Sequence, residues 1–145
     1  MEPLILTSSF LFGKELMTQT VTNSTKTILG SVTSILDDED FTFKKMLKQY
    51  DLTSKVEIIN CYINEITNDD ILFEKPTIKL VIKNTLDVLE HISIEIKVIE
   101  KKIKQHKELW FHRFRTPEYK TLLLDLETNI KLLNERFKLL IEIKN

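Results

Sequence analysis

The sequence predicts an all-α fold, a bundle of four or five helices built on a long antiparallel helical hairpin, and three observations carry that expectation. The 145 residues include only two Gly and three Pro, too few for an all-β fold, in which every hairpin needs residues that tolerate unusual backbone angles. Apolar residues recur on steps of four and three along most of the chain, which is the period of a helix face. The two longest such runs are separated by a break at Thr116 and Pro117, and long helices joined by a short break fold back on one another.

Taken in order, Phe10, Met17, Val21, Ile28 and Ile35 predict a helix over 9–36. Five threonines (Thr18, Thr20, Thr22, Thr25, Thr27) lower its intrinsic propensity, so its stability must come from packing. Gly13, Ser24, Gly30, Ser31 and Ser34 would let a neighbouring backbone come close. The acidic run Asp37, Asp38, Glu39, Asp40 closes that helix and caps the next, a short one over 41–51 with Phe43, Leu47 and Tyr50 inward. Ser54 and Glu57 form an S-x-x-E capping box for a helix over 55–67, whose apolar stripe is Val56, Ile59, Tyr62, Ile63 and Ile66. Thr67 to Asp70 reads as a turn, and Pro76 opens a new helix.

The strongest periodicity follows. Ile78, Ile82, Thr85, Leu89, Ile92, Ile96, Ile99, Ile103, His106 and Trp110 keep strict four-three spacing, a coiled-coil-like seam. A helix over 77–112 would reach about 50 Å at ~1.5 Å per residue, and its stripe needs a cover. The natural cover is the segment in which Tyr119, Leu123, Leu126, Ile130, Leu133, Phe137 and Leu140 repeat the spacing, with Thr116 and Pro117 as N-cap and first-turn pair. Extra apolar positions, Val81, Val88 and Val98 on the first helix and Leu122, Leu132 and Leu139 on the second, widen both stripes beyond a two-stranded seam. The N-terminal helices or a second copy of the chain should lie there. The expected organisation is one domain over 1–145, with N-terminal helices in 1–76 and the hairpin in 77–145.

Charge bounds the function. With 21 Lys+Arg, 22 Asp+Glu and a net charge of -1, there is no overall monopole to draw the molecule to nucleic acid or an anionic bilayer. Only Glu2, Lys14, Glu15 and Lys26 are charged within residues 1–36, so that part meets a different environment from the rest. It serves either as the central helix of the bundle or as a releasable helix for a membrane or a partner. A single Cys61 and a start without the basic region of a signal peptide imply a reducing, cytoplasmic setting. The apolar stretch Leu4–Phe12 is interrupted by Thr7, Ser8 and Ser9 and falls short of the ~20 residues of a membrane span. Ala is absent while Ile and Lys are abundant, the bias of a low-GC genome such as that of a large DNA virus, a protist or a low-GC bacterium.

No catalytic constellation is legible. His91, His106 and His112 lack the spacing of a metal motif; His106 reads as a polar register mark on the seam, and His91 and His112 as solvent-facing. Cys61, beside Ile59, Asn60 and Tyr62, reads as a partly buried thiol. There is no phosphate loop, no nucleophile elbow and no zincin motif. The expectation is a non-enzymatic protein without cofactor or metal.

Two candidate surfaces remain. Lys102, Lys104, Lys107, Trp110, Phe111, Arg113, Phe114 and Arg115 mix cations with aromatics, a composition suited to phosphate contacts with stacking or to a membrane interface. The same residues also serve as positive charge near a helix end and as an aromatic plug of the hairpin. Ile92, Ile96, Ile99 and Ile103 form the candidate helix-pairing stripe. The order of elements, a charge-poor first helix followed by middle helices and a long basic helix ending at Trp110 to Arg115, Thr116 and Pro117, resembles the helical-bundle domains of necroptotic and fungal cell-death executioners. That resemblance implies a four-helix bundle that self-associates and permeabilises membranes. This chain departs from it in having no strongly basic first helix. The expected function is a helical protein-protein interaction or assembly module, with a protein or a second copy as partner, a membrane as the next candidate and nucleic acid behind it.

Overall fold

A computed structural model describes residues 13–36, 41–108 and 120–145, and every element among them is helical. The helices are α1 (Lys14–Leu36), α2 (Phe41–Tyr50), α3 (Leu52–Thr67), α4 (Asp70–Phe73), α5 (Pro76–Glu108) and α6 (Lys120–Lys144). The all-α expectation therefore holds among the described residues. The parts of the sequence reading that fall on 1–12, on the acidic run 37–40, on 109–119 and on the side chain of Phe43 lie outside them.

α5 is the axis of the fold. Ile78, Ile82, Thr85, Leu89, Ile92, Ile96 and Ile99 are each 0% exposed, and Ile103 is buried as well. One side of α5 is covered by α1 and another by α6, so the wide stripe is filled from two directions. On α6 the matching positions Leu126, Ile130, Leu133 and Leu140 are buried, and Leu123 and Phe137 are half-buried against the core. α5 and α6 run antiparallel: Asn129 Nδ2 donates to Glu95 Oε1 at 2.6 Å, while Arg136 Nη1, farther along α6, donates to the Asn84 carbonyl, earlier on α5, at 2.6 Å.

α1 runs alongside α5 in the same direction. Its first residue, Lys14, pairs with Asp70 at 2.9 Å, just before α5 begins, whereas Ser31 reaches Glu100 in the C-terminal third of α5. Met17, Val21, Ile28, Val32 and Ile35 form the buried face of α1, together with the small hydroxyl residues Ser24, Thr25 and Ser31. Small side chains let two helix axes approach closely, and threonine is accepted in a helix when tertiary burial outweighs its propensity. Thr25 Oγ1 is buried with no hydrogen-bond partner among the described residues.

α2 and α3 share the remaining corner. Tyr50 Oη donates to Glu127 on α6 at 2.8 Å; farther down, the rings of Tyr62 and Phe137 meet edge to face, 5.4 Å between centroids. At the far end Thr67 lies 3.5 Å from Thr18 of α1. The corner is one helical path broken at Asp51, which sits in the left-handed region at φ 47° and ψ 48°. Aspartate is among the few residues other than glycine that visit this region at modest cost. The break moves the start of α3 to Leu52, 1% exposed, so Ser54 stands inside the helix and the Ser54–Glu57 capping box does not form. The need to bury Leu52 and Val56 outweighs a surface cap. The turn expected at Thr67–Asp70 is tighter than anticipated: Thr67 ends α3, and the Asp69 side chain caps the single turn of α4 by accepting from Leu72 N at 3.1 Å. Pro76 is the first residue of α5, where a missing N–H goes unnoticed.

Gly30 departs from its expected role. A methyl group built at this position would meet nothing within 4 Å, so no neighbouring backbone of the described residues needs the space. Glycine within an exposed stretch of helix is destabilising relative to alanine by ~1 kcal/mol. Gly30→Ala is accordingly expected to raise stability by about 1 kcal/mol, read as a higher denaturant midpoint with unchanged helical circular dichroism; a loss of stability would contradict the open placement of α1.

Candidate interaction surface

The predicted helix-pairing stripe is not on the surface. Ile92, Ile96, Ile99 and Ile103 are buried within the chain, because α1 and α6 together consume the width of α5 that the sequence left unassigned. They are core residues rather than a docking face. Of the six extra apolar positions, Val81 and Val88 are also buried and Leu122 is half-buried, whereas Val98, Leu132 and Leu139 stay exposed.

The outer surface of the α5–α6 pair consequently carries large aliphatic side chains. On α5, Ile94 is 62% exposed and Leu80 57%, fourteen residues apart and thus nearly on one line of the helix. Val98 stands one turn beyond Ile94. On α6, exposed Leu132 lies in sequence between Asn129 and Arg136, the two residues that hold the hairpin register. The sequence signal for these positions was present as hydrophobic residues off the seam.

Of the basic-aromatic patch, Lys102, Lys104 and Lys107 are exposed on α5, and Lys101 beside them. Trp110, Phe111, Arg113, Phe114 and Arg115 lie outside the described residues, as does His112. Lys104 is not spare charge: its ammonium is 3.2 Å from Glu100, which Lys97 also approaches at 3.8 Å. His106 is half-buried at the end of the seam and His91 is exposed.

Glu100 is the least expected member of the core. The residue is 9% exposed, and its carboxylate accepts from Ser31 Oγ at 2.9 Å. Burial pushes its pKa up, but hydrogen bonds from Ser31, Ser34 and Lys104 and the charge of Lys104 outweigh that and hold it below the usual carboxylate value. A buried carboxylate is retained when several donors converge on it. Glu95, by contrast, is pushed up by burial, against the lowering effect of its bond from Asn129. On the α2–α6 side, the Tyr50 hydrogen bond and Lys131 hold Glu127 low, and Glu127 in turn pushes the Tyr50 phenol up.

Cys61 is exposed, a correction to the partly buried thiol expected from its neighbours. α3 turns Ile59 and Ile63 inward, which leaves Ile58 and Cys61 facing out. Glu57, Ile58, Cys61, Tyr62 and Glu65 line a shallow open depression of about 310 Å³ on that outer face. The single turn of α4 adds Ile71, 82% exposed, near Asp69, Asp70 and Glu74. Among the described residues, no cluster of three His, Cys, Asp or Glu side chains is placed to hold a metal ion, and no helix is long and apolar enough to cross a membrane. The arrangement can offer apolar contact framed by charge.

Comparison with known proteins gives one similarity. The chain is 26% identical, over an alignment of 148 positions, to an uncharacterized protein of Acanthamoeba polyphaga mimivirus, covering 85% of this chain and 72% of that relative. No family model and no solved structure matches. The similarity fits a viral origin, one of the three low-GC sources that the Ala-free, Ile- and Lys-rich composition suggested.

Proposed function

We propose that this chain is a non-enzymatic helical interaction or assembly module of a large DNA virus. The observation that carries the reading is the set of exposed aliphatic side chains Leu80, Ile94, Val98, Leu132 and Leu139 along the α5–α6 pair, left over after the core is complete. Scattered apolar residues are ordinary on protein surfaces, but a row at helical spacing gives a second helix or surface something to bury. Fully covering one such side chain is worth about 1.5–3 kcal/mol relative to leaving it in water, so a few of them suffice for a specific contact when the rim is compatible.

The test is chemical crosslinking of the full chain in the cells that express it. Adducts heavier than the 17.1 kDa monomer are expected, and they should disappear in a Leu80→Ser/Ile94→Ser variant that keeps its helical circular dichroism. Absence of adducts, or adducts unaffected by the substitutions, overturns the reading.

A further inference from the structure

The outer line of α5 carries its charges in an order that reverses about one residue. Residues seven apart stand two turns apart and nearly on one line of a helix, and on α5 that line reads Leu80, Asp87, Ile94, Lys101 and Glu108, all exposed. Ile94, 62% exposed, is its midpoint. Asp87 stands seven residues before it and Lys101 seven after. Glu90, four before, and Lys97, three after, fall on the same flank of the line, while Val98 lies one turn beyond Ile94 on the other flank. His91 and Lys102 stand farther round, on the side of Glu95 that faces α6.

These charges are not consumed inside the chain. Lys97 comes no closer to Glu100 than 3.8 Å, and Asp87, Glu90 and Lys101 form no ion pair among the described residues. α1 and α6 lie on other sides of α5. A sequence of acid, isoleucine, base at equal spacing complements itself when a second copy is laid on it in the opposite direction. Turned about Ile94, Asp87 of each copy falls opposite Lys101 of the other, and Glu90 beside Lys97. The two charges outside this order meet no charge: Lys83 falls opposite Gln105, and Glu108 opposite Leu80. A parallel arrangement would instead set Asp87 on Asp87 and Lys101 on Lys101, which is repulsive.

We propose, resting on the interaction reading above, that two copies of this chain pair through the outer line of α5, antiparallel, about a two-fold axis at Ile94. The contact is isologous, so it closes at a dimer. Ile94 of each copy rests on Ile94 and Val98 of the other, which supplies attraction without direction. The reversed charges supply the direction and make the association weaken with salt, since exposed charges are screened within ~8 Å at physiological ionic strength. A net charge of -1 leaves almost no overall repulsion to oppose the approach.

The experiment is light scattering on the purified full chain over a concentration series, in about 50 mM and about 300 mM salt. The mass is expected to rise from 17.1 kDa toward twice that value and stop there, at lower concentration in low salt. Asp87→Lys and Lys101→Glu, each with unchanged helical circular dichroism, should weaken the dimer about tenfold, and the double variant Asp87→Lys/Lys101→Glu should return to within about threefold of wild type. In a Cys61→Ser background, a short bismaleimide should join copies of Ile94→Cys but not of Leu80→Cys, because the two Leu80 positions would lie about 40 Å apart. A wild type that stays monomeric, a double variant no better than the singles, or equal joining at both positions overturns the proposal. Should adducts that depend on Leu80 and Ile94 still form in cells while the purified chain stays monomeric, self-pairing falls and the interaction reading stands. Loss of both removes both.

Discussion

Replacing Ile96 by Ala is expected to destabilise the chain by about 2–5 kcal/mol, the range for truncating a buried aliphatic side chain to a methyl group. Ile96 is 0% exposed, on the stripe of α5 that α1 and α6 cover. Removing three carbons there forfeits burial and opens a cavity that two long, registered helices cannot collapse around without disturbing their neighbours. For a chain of this size the loss corresponds to a fall in melting temperature on the order of 5–15 °C. The effect should not depend on protein concentration, because the covering helices belong to the same chain. By comparison, Ile94→Ala, two residues away and exposed, should change monomer stability by no more than about 0.5 kcal/mol. A concentration-dependent loss at Ile96, or equal losses at the two sites, would show that the stripe is covered by another molecule.

The second large effect is expected at Glu100. Substitution by Ala removes the acceptor for Ser31, itself 1% exposed, and strands a buried hydroxyl, for a loss of about 1–3 kcal/mol at neutral pH. The contribution of Glu100 is also tied to pH, and its sign is fixed by the direction of the shift. The folded-state pKa lies below the ordinary carboxylate value of 4.5, so the folded state favours the ionised form. That stabilisation is complete above the unfolded value and is lost as pH falls through the folded one. The stability gap between wild type and Glu100→Ala, measured by denaturant midpoints, should therefore be largest near neutrality and shrink in strong acid. A gap that stays constant from pH 7 to about pH 3 would mean that Glu100 acts through packing alone and that its carboxylate is not held by Ser31, Ser34 and Lys104.

What was readable in the sequence was local. The four-three spacing of Ile78 through Ile103 and of Leu126 through Leu140 located the hairpin because a helix face is written in residues three and four apart. Pro76 marked a helix start for an equally local reason. The sequence also implied that α5 had more apolar width than one neighbour could cover. It could not say which element covered it, because α1 reaches α5 across 69 residues, and no periodicity connects them. The same distance hid Glu100, which in sequence is one more charge in a Lys-rich run and in the fold is an acceptor for a serine of α1. Ser54 misled as a cap because the signal is short and a buried leucine two residues earlier outweighs it. The outward-facing isoleucines were missed for a related reason. Ile58 and Ile94 look like core residues by composition, and only the orientation of α3 and α5 turns them outward.

The parallel course of α1 and α5 has a consequence for synthesis. α1 leaves the ribosome before α5, carrying Met17, Val21, Ile28, Val32 and Ile35, while the helix that covers much of that face is still untranslated. At about 5–20 residues per second, the 69 residues separating Ser31 from Glu100 take on the order of 3–14 s to appear. During that interval the nascent face must neither aggregate nor settle on a wrong partner. Ser24, Thr25 and Ser31 dilute its greasiness while it waits, and the same hydroxyls later lie within the finished interior. The hairpin of α5 and α6, by contrast, needs only neighbours made moments apart. In this molecule α1 is built before α5 and held over for the scaffold that comes after it.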